Sequence, residues 1–333
     1  MKFLVIRFSS IGDIVLTSPV VRCLKNQVAG AQVHFLTKQA YLPVVAHNPH
    51  IDQVQVLAHS FELMLHELRE ERYDYIIDLH HNLRTLRVKR ALGCPSRSFP
   101  KLNMEKFLYT NLKWNRMPDI HIVDRYLATL APFGVTNDGE GLDYFIDPTE
   151  QVRQQDIPTS HQAGYIGLVI GAAHQTKKYP IHHLQAFCRL IDHPVILLGG
   201  PEDAASGEKV AAVDPVKVYN ACGKFSLNES ADLVRRAKVV VSNDTGLMHI
   251  AAAFKRPIVS LWGNTVPAFG MYPYYGERFD ARQGPSSSRI LQVEGLRCRP
   301  CSKIGYDRCP RRHFRCMEEI APGQVAEAVR TWL

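Results

Sequence analysis

The residues best suited to holding an anion lie in one short stretch of the second half of the chain. Asp244, Thr245 and Gly246 follow an apolar predicted strand, and a helix of small residues is predicted to begin directly after them. The first amides of a helix lack intrahelical acceptors, and the macrodipole adds about half a positive charge there. This pattern predicts a diphosphate site; the alternative is that Asp244 or Thr245 only caps a core helix. The residues expected at the site are Asp244, Thr245, Gly246, Leu247 and His249. For His249 the alternative is a histidine packed within the helix.

A carboxylate that could accept a proton lies near the start of the chain. Asp13 is in the loop after the first predicted strand, and so at the carboxyl edge of the first predicted sheet. A general base at such a position contributes about 10²–10⁴ in rate. The alternative is a cap of the following helix, worth about 1 kcal/mol to its stability. An Asp13→Asn variant distinguishes the two, because asparagine caps about as well but takes no proton.

Two further loops are expected at the carboxyl edge of the second sheet. The first contains Lys177 and Lys178, which could neutralise a diphosphate, although loop lysines are commonly only solvated. The second is a Gly-Gly-Pro turn, and carboxylates in such turns often bind ribose hydroxyls. The residues expected to contact ribose or base are Gly200, Glu202 and Asp203. Neither half opens with Gly-x-Gly-x-x-Gly and no P-loop motif occurs, which disfavours dehydrogenases and nucleoside triphosphatases.

Two other clusters could bind ligands. Between Arg84 and Arg116 the chain is strongly basic and Glu105 is its only acid, which indicates either a polyanion-binding patch or a solvated helix face. No motif of a nucleic-acid-binding fold accompanies it, so nucleic acid is not expected as a partner. Near the C-terminus, a Cys-x-x-Cys pair is followed by two cysteines with His313 between them. Structural zinc and reduced thiols both stay open for Cys298, Cys301, Cys309 and Cys316.

The elements that must position these residues alternate between short β-branched runs and helical patterns. The alternation predicts an α/β protein with parallel sheets covered by helices on both faces. The predicted strands are residues 2–7, 32–37, 53–57, 75–79, 165–170, 195–198, 216–219, 238–242 and 257–261. The predicted helices include residues 14–28 and 61–72, and one that starts with a capping box at Ser226.

A polar stretch at 138–164, containing glycine and proline, interrupts this alternation. It predicts a boundary between an N-terminal domain, 1–155, and a C-terminal domain, 156–333. A final helix at 323–333 is a candidate to pack back across this boundary. The cleft between two such domains is the expected place for a ligand.

The composition restricts the class of protein. A chain of 333 residues is long enough for about two domains, and 46% hydrophobic with 22% charged residues is typical of globular proteins. A formal charge of +8 favours anionic partners, whether nucleic acid, phosphorylated substrates or lipid surfaces. We expect neither a signal peptide nor a membrane span. Eight cysteines, four of them scattered singly, fit reduced thiols and a cytoplasmic location.

Four segments together resemble glycosyltransferase family 9, the ADP-heptose:lipopolysaccharide heptosyltransferases. They are residues 7–13, 177–180, the turn at Gly199, and 244–253, in the family's order. The resemblance implies a GT-B fold, with two Rossmann-like doubly wound parallel-sheet domains facing across a cleft. It implies an acceptor on the first domain, an ADP-sugar donor on the second, and inverting transfer that requires no metal or other cofactor. Tyr179 stands where tryptophan is expected, and the stretch 298–316 is more similar to heptosyltransferase II-like members.

The resemblance also implies roles for single residues. Asp13 matches the proposed base, Lys177 matches the lysine that contacts the donor phosphates, and the amides of residues 245–247 match those that hold the diphosphate. The residues expected to bind the acceptor are Ser10, Gly12, Arg84, Arg87 and Arg90.

The activity implied is transfer of a heptose, or a related sugar, to the inner core of a lipopolysaccharide precursor. It implies a peripheral, monomeric enzyme at the cytoplasmic face of the inner membrane, whose partners are the nucleotide sugar and a phosphorylated lipid-linked saccharide. One alternative is a related nucleotide-sugar transferase with another donor or acceptor. Alternatives from other classes are a Rossmann-type oxidoreductase and a non-catalytic polyanion-binding module.

Overall fold

A computed structural model of the chain describes residues 1–57, 60–279 and 287–333. Its contacts divide it into two compact units, each built on one parallel sheet. The first unit comprises Met1–Lys101, Ile120–Phe145 and Gly276–Phe279. The second comprises Leu102–Asp119, Ile146–Tyr275 and, in the described C-terminal part, 287–333.

The second unit thus begins before the predicted start at residue 156, because the interdomain stretch is bonded to it. The amide of Val152 donates to Asp232 at 3.0 Å, and the carboxylate of Glu150 accepts from Asn228 at 2.8 Å. Between 138 and 164 the structure has only short 3₁₀ turns and irregular chain, as the composition predicted.

The first sheet has five strands in the order β3-β2-β1-β4-β5. The strands are β1 (Lys2–Ile6), β2 (Gln32–Lys38), β3 (Gln53–Leu57), β4 (Tyr75–Asp78) and β5 (Ser96–Ser98). The helices of this unit are α1 (Ile11–Val15), α2 (Ser18–Gln27), α3 (Leu42–Val45), α4 (Phe61–Glu70), α5 (Leu83–Leu92) and, after α6 (Asn103–Phe107) of the second unit, α7 (Ile122–Leu127). The central strand β1 is buried on both faces, which explains its unbroken apolar run.

The second sheet has six strands in the order β11-β10-β9-β6-β7-β8. They are β6 (Ile166–Val169), β7 (Val195–Leu198), β8 (Val218–Asn220), β9 (Val239–Asn243), β10 (Ile258–Trp262) and β11 (Ser288–Gln292). Its helices are α8 (Ile181–Leu190), α9 (Ala204–Ala211), α10 (Leu227–Arg236), α11 (Gly246–Ala253), α12 (Arg315–Glu318) and α13 (Pro322–Arg330). The last helix packs on α8, and Arg330 donates to the Leu190 carbonyl at 2.6 Å.

Two features differ from the sequence prediction. The single helix predicted at 14–28 is wrong: α1 and α2 are separate, because Pro19 lies in the first turn of α2 and has no amide to continue a helix. The edge strands β5 and β11 were not predicted, since they are short and mostly polar or exposed. The capping box of α10 is confirmed: the Ser226 hydroxyl accepts from the Glu229 amide at 3.2 Å, and the Ser226 amide donates to the Glu229 carboxylate at 2.7 Å.

Each sheet reverses its strand order at one place. In the first sheet this is between β1 and β4, and in the second it is between β6 and β9. Ligands of open α/β sheets bind beyond the carboxyl ends of the strands at such a switch point. The loops after these four strands are therefore where function is expected. Within the described ranges, no helix has the length and apolar character needed to cross a bilayer.

Candidate functional site

An ion pair lies at the switch point of the second sheet. The Nζ atom of Lys177, in the loop after β6, is 2.6 Å from Oδ2 of Asp244, which directly follows β9. The hydroxyl of Thr265 donates to the same carboxylate oxygen at 2.9 Å. Both charged side chains keep contact with solvent, since Lys177 is 16% and Asp244 is 12% exposed. The structure thus brings the predicted lysine to the predicted anion site.

The helix that follows this ion pair begins at the protein surface. Thr245 is the N-cap of α11 in an extended conformation, and residues 244–247 are all half-buried rather than covered. The amides of Gly246 and Leu247 have no intrahelical acceptor by helix geometry. This helix start can therefore receive an anion, and the neighbouring lysine adds a full positive charge. His249 is only 2% exposed and lies inside the helix, consistent with the packed alternative.

Asn243, the last residue of β9, holds the lysine loop in place. Its side-chain oxygen accepts from the Tyr179 amide at 3.2 Å, and its Nδ2 donates to the Val169 carbonyl at 3.2 Å. Tyr179 is itself buried, and its hydroxyl donates to the Ile320 carbonyl at 2.5 Å. A tyrosine in place of the expected tryptophan is thus fully accommodated, because its hydroxyl has a partner in the C-terminal segment.

The turn after β7 separates the two candidate ribose ligands. Asp203 is 2% exposed; it pairs with Lys178 at 2.6 Å and accepts from the Gly200 amide at 3.1 Å. Glu202 is exposed. A Cβ atom on Gly171 would lie 2.3 Å from Oδ2 of Asp203, so glycine is required there for the close approach. Asp203 and Lys178 therefore hold the turn together, and Glu202 is the carboxylate available to a ligand.

The loop after β10 contributes residues that sequence reasoning missed. Asn264 is 1% exposed, and neither polar atom of its side chain has a hydrogen-bond partner among the described residues. A buried amide left unsatisfied indicates a place for water or a ligand. Asn264 is adjacent to Thr265, which touches Asp244, so this amide belongs to the same sheet edge. No sequence motif marked it.

The cysteine-containing segment, 298–316, forms hydrogen bonds with the loops after β6 and β10. Arg299 donates to the carbonyls of Gly263 and Thr265 at 2.6 and 3.0 Å. Thr176 and Tyr306 exchange bonds, with the Thr176 amide donating to the Tyr306 carbonyl at 3.1 Å and the Tyr306 amide to the Thr176 hydroxyl at 2.8 Å. The segment therefore fixes both the lysine loop and the loop after β10.

The second ion pair lies at the switch point of the first sheet. The Asp13 carboxylate is 2.7 Å from the Arg7 guanidinium. It also accepts from the amide and hydroxyl of Ser10, at 3.2 and 2.9 Å. Asp13 is 21% exposed, whereas Arg7 is 10% exposed. Asp13 thus has the hydrogen bonds expected of a helix-capping residue. Its carboxylate nevertheless remains accessible to solvent.

Sequence patterns indicated no role for Arg7, but the structure places its guanidinium against Asp13. Its guanidinium also donates to the Leu79 carbonyl at 2.5 Å and to the Tyr126 hydroxyl at 3.1 Å, so its position is fixed. Burial by itself would raise the pKa of Asp13, but the Arg7 charge and the Ser10 hydrogen bonds outweigh it, and the pKa lies below its usual value. Asp13 is therefore ionised at neutral pH.

Asp78 and His80 line the same edge after β4. Asp78 is fully buried and pairs with Lys89 at 2.9 Å. Burial, aided by the Arg7 and Lys101 charges, lowers the pKa of His80 to about 4. A neutral imidazole thus lies at this edge at physiological pH. The sequence offered no signal for it beyond its place after a strand.

Four of the five predicted acceptor residues are exposed on the first unit, and Gly12 is not. Ser10 is exposed and Gly12 is buried at the start of α1. On α5, Arg84 and Arg90 are exposed, while Arg87 pairs with Glu62 at 2.9 Å and lies over the Phe61 ring. Glu62 offsets the charge of Arg87, so the exposed positive charge of α5 lies mainly on Arg84 and Arg90.

One cluster of side chains in the described residues has the composition of a metal site. The one group of three whose ligand atoms lie within 4.8 Å of one another is His182, His183 and Glu318. In it both Nε2 atoms approach Oε2 of Glu318, at 3.0 and 3.3 Å. The four C-terminal cysteines do not form such a group in the described chain, although Sγ of Cys298 is 3.8 Å from Nε2 of His313. The zinc interpretation of these cysteines stays a prediction.

The chain matches the family model described as glycosyltransferase family 9 (heptosyltransferase) over residues 63–281. It is 27% identical over 299 residues to lipopolysaccharide heptosyltransferase 2 of Escherichia coli K12, covering 81% of this chain and 84% of that one. It is 26% identical over 294 residues to lipooligosaccharide heptosyltransferase 2 of Haemophilus influenzae, covering 81% and 85%.

The fold is also found among solved structures. The chain aligns with the structure of E. coli ADP-heptose LPS heptosyltransferase II with a TM-score of 0.74 and 22% identity. The alignment covers 100% of this chain and 98% of that one. This likeness confirms the predicted fold class, an α/β protein of the GT-B type with two Rossmann-like parallel-sheet units.

Proposed function

Because the chain belongs to glycosyltransferase family 9, we propose that it transfers a heptose, or a related sugar, from an ADP-sugar to the inner core of a lipopolysaccharide precursor. The relatives named for lipopolysaccharide and lipooligosaccharide support this substrate class. The observation that carries the proposal is the Lys177–Asp244 pair beside the half-buried start of α11, at the switch point of the second sheet.

The second unit is proposed to bind the donor. The amides of Thr245, Gly246 and Leu247 take the diphosphate, and Lys177 neutralises it, with Asp244 and Thr265 holding the lysine. A carboxylate repels a phosphate, so Asp244 acts through Lys177 and not by direct contact. His249 is 2% exposed within the same helix, so we assign it to the packing of the helix and not to contact with the diphosphate. These amides and Lys177 stabilise the transition state most, because negative charge grows on the diphosphate as its bond to the sugar breaks.

The ribose and the sugar are proposed to contact the neighbouring loops. Glu202 accepts from the ribose hydroxyls, with Gly200 allowing close approach and Asp203 fixing the turn through Lys178. The unsatisfied amide of Asn264 supplies hydrogen bonds to the donor.

The first unit is proposed to bind and activate the acceptor. Asp13 takes the proton from an acceptor hydroxyl, and the hydroxyl oxygen forms a bond to the anomeric carbon. The bond from that carbon to the diphosphate breaks, and ADP leaves with the electron pair, so the configuration inverts. Arg7 and Ser10 orient the carboxylate and keep it ionised. No step needs a metal ion.

The remaining positive surface is proposed to hold the phosphorylated acceptor. Arg84, Arg87 and Arg90 of α5 face solvent and suit a polyanionic inner core. We propose a peripheral monomer at the cytoplasmic face of the inner membrane, with the acceptor function on the first unit and the donor function on the second, in place of the predicted division into 1–155 and 156–333. A related transferase with another donor or acceptor is the second candidate, because family members share these residues.

The test is incubation of the purified chain with a panel of ADP- and UDP-sugars and core-lipid acceptors, read by mass spectrometry. We expect a product heavier by one heptose with ADP-heptose, and the same yield in the presence of EDTA. Transfer only from a UDP-sugar would replace the donor assignment. Loss of transfer in EDTA, restored by a divalent cation, would overturn the metal-free step.

A further inference from the structure

Two histidines and a glutamate converge on one point of the second unit, apart from the residues proposed for transfer. The Nε2 atoms of His182 and His183 lie 3.0 and 3.3 Å from Oε2 of Glu318. The three ligand atoms lie within 4.8 Å of one another, and the described ranges contain no other such group of histidine, cysteine or acidic side chains. Imidazole nitrogen and carboxylate oxygen are ligands that Zn²⁺ accepts together.

The spacing of these atoms fits coordination of a small divalent ion. With bonds of about 2.0–2.2 Å to nitrogen and oxygen, neighbouring ligand atoms of a tetrahedral Zn²⁺ site are about 3.3 Å apart. The two nitrogen-to-oxygen distances here are 3.0 and 3.3 Å, and the two nitrogens are at most 4.8 Å apart, so small side-chain rotations are enough to receive the ion. Three protein ligands leave the fourth position to water.

The two histidines are adjacent in sequence, yet both reach the same carboxylate. Residues i and i+1 of a helix do not normally face each other. His182 and His183 lie in the first turn of α8, and their ring centroids are 4.3 Å apart. Both rings therefore present Nε2 to Glu318, which lies 135 positions after His183 in the chain.

The segments that carry these ligands are fixed by their buried neighbours. Glu318 is the last residue of α12, flanked by the fully buried Met317 and by Ile320, which is 2% exposed. On the other side, the His183 ring stacks on the ring of the buried Tyr179, with centroids 5.2 Å apart and planes at 16°. The ligands are therefore held near one another in advance, which lowers the entropy cost of binding.

The group is open to solvent and carries a negative charge. The side chains of His182, His183 and Glu318 are 63, 16 and 38% exposed, so an ion and a water molecule can reach them. The start of α8 has a partial positive charge, which disfavours a cation. The Glu318 carboxylate offsets this effect and is the ligand on which binding of the ion depends most.

We propose that His182, His183 and Glu318 bind one Zn²⁺ ion, with water as the fourth ligand. The ion ties the start of α8 to α12, beside the hydrogen bond from the Tyr179 hydroxyl to the Ile320 carbonyl that joins the same segments. Its role is structural, because none of the three ligands belongs to the groups proposed for transfer. The inference is thus independent of the proposed function.

The test measures Zn²⁺ binding by calorimetry to the full chain, without an affinity tag, after treatment with EDTA and removal of the chelator. Glu318→Gln and His182→Ala should each weaken binding at this site about 100-fold or more, since even the outer partners of metal ligands contribute about 10- to 100-fold. His66→Ala is the matched control, because His66 is an exposed histidine of α4 outside the group. It should bind Zn²⁺ as the wild-type chain does.

The cysteines in 298–316 are a separate candidate for the same ion, and Co²⁺ distinguishes the two sites. Thiolate ligands give Co²⁺ an intense sulfur-to-metal charge-transfer band, whereas imidazole and carboxylate ligands give only weaker d–d bands. We expect Glu318→Gln to lower the d–d absorption and to leave any thiolate band unchanged. Co²⁺ binding that produces a thiolate band and is the same in Glu318→Gln would assign the ion to the cysteines and overturn the inference.

Thermal denaturation gives an independent measurement. An ion that binds only the folded chain raises the melting temperature as its concentration rises, so Zn²⁺ should raise it in the wild-type chain and in His66→Ala much more than in Glu318→Gln. Sugar transfer by Glu318→Gln, measured well below its melting temperature, should equal that of the wild-type chain. Equal Zn²⁺ affinity in all three variants, or no Zn²⁺ binding by the wild-type chain, would show that the three side chains form only hydrogen bonds and would overturn the inference.

Discussion

The two sheets carry the same kind of ion pair at their switch points, but with the partners interchanged. In the first unit, Arg7 and Asp13 are 2.7 Å apart and the carboxylate is the more exposed partner. In the second, Lys177 and Asp244 are 2.6 Å apart and the lysine is slightly the more exposed. The outer group is thus an anion in one unit and a cation in the other.

This difference corresponds to two separate chemical tasks. A carboxylate that faces solvent can accept a proton, and a lysine beside a helix start can stabilise a leaving diphosphate. In each pair the inner partner fixes the position of the outer one and sets its electrostatic environment. Substitutions in either ion pair test this assignment of tasks.

Asp13→Asn is expected to give the largest effect, a loss of transfer rate of at least about 10²-fold and up to ~10⁴-fold, because asparagine cannot take the proton. Initial rates from an ADP-sugar to a core-lipid acceptor measure it. Circular dichroism should show a folded chain, since the Asn oxygen still accepts from Ser10.

Asp138→Asn is the matched control for that variant. Asp138 pairs with Arg22 at 2.7 Å, and these side chains are 21% and 8% exposed, close to the values for Asp13 and Arg7. We expect a modest loss of stability with little loss of turnover. Equal losses of turnover in both variants, or full turnover in Asp13→Asn, would remove Asp13 from the role of base.

Lys177→Met should lower the transfer rate by about 10²- to 10³-fold, the usual effect of removing one preorganised donor from developing charge. The neighbouring Lys178→Met should act differently. It leaves the buried Asp203 carboxylate without its cation, so the melting temperature should fall by several degrees while turnover of the folded fraction is largely kept. Rate measurements and thermal denaturation of both variants decide this; the reverse pattern would interchange the roles of the two lysines.

Glu202→Gln should raise the donor KM about tenfold and leave kcat nearly unchanged, because a charged hydrogen bond to the ribose is weakened. Asp203→Asn should mainly reduce stability, since Asp203 is buried and holds Lys178. Titration of the donor in steady-state assays separates the two carboxylates. A larger KM effect in folded Asp203→Asn would assign the ribose to Asp203.

Arg7→Gln should have its smallest effect at neutral pH and its clearest one in acid. The pKa of Asp13 is lower in the folded chain than in the unfolded chain, where it is about 4. The ionised carboxylate therefore stabilises the folded chain above that unfolded pKa, and this stabilisation is lost as the pH falls through the folded-state pKa. Without the Arg7 charge, burial dominates and the pKa rises. The acid limb of kcat/KM, measured from pH 4 to 8, should therefore move to higher pH; an unmoved limb would show that Arg7 does not control the base.

Much of this arrangement could be predicted from the sequence, for identifiable reasons. The central strands are runs of apolar residues buried on both faces, and loops after parallel strands share one edge, so Asp13, Lys177 and Thr245 were placed correctly at sheet edges. The ion pairs themselves were not predictable. Thr265 reaches Asp244 across 21 positions in sequence, and Arg299 contacts the same loop from further away, so only the folded chain brings them together.

The contacts that Arg299 and Tyr306 make with the loops after β6 and β10 limit which residues of these loops can change in sequence. Arg299 holds the loop after β10 through the backbone carbonyls of Gly263 and Thr265, and Tyr306 holds the loop after β6 through the amide and hydroxyl of Thr176. Apart from Thr176, the side chains of these loops take no part in these bonds and can change without removing them. We therefore expect substitutions at Asn264, the residue proposed to contact the donor, to change sugar preference with less loss of stability than substitutions within residues 299–306.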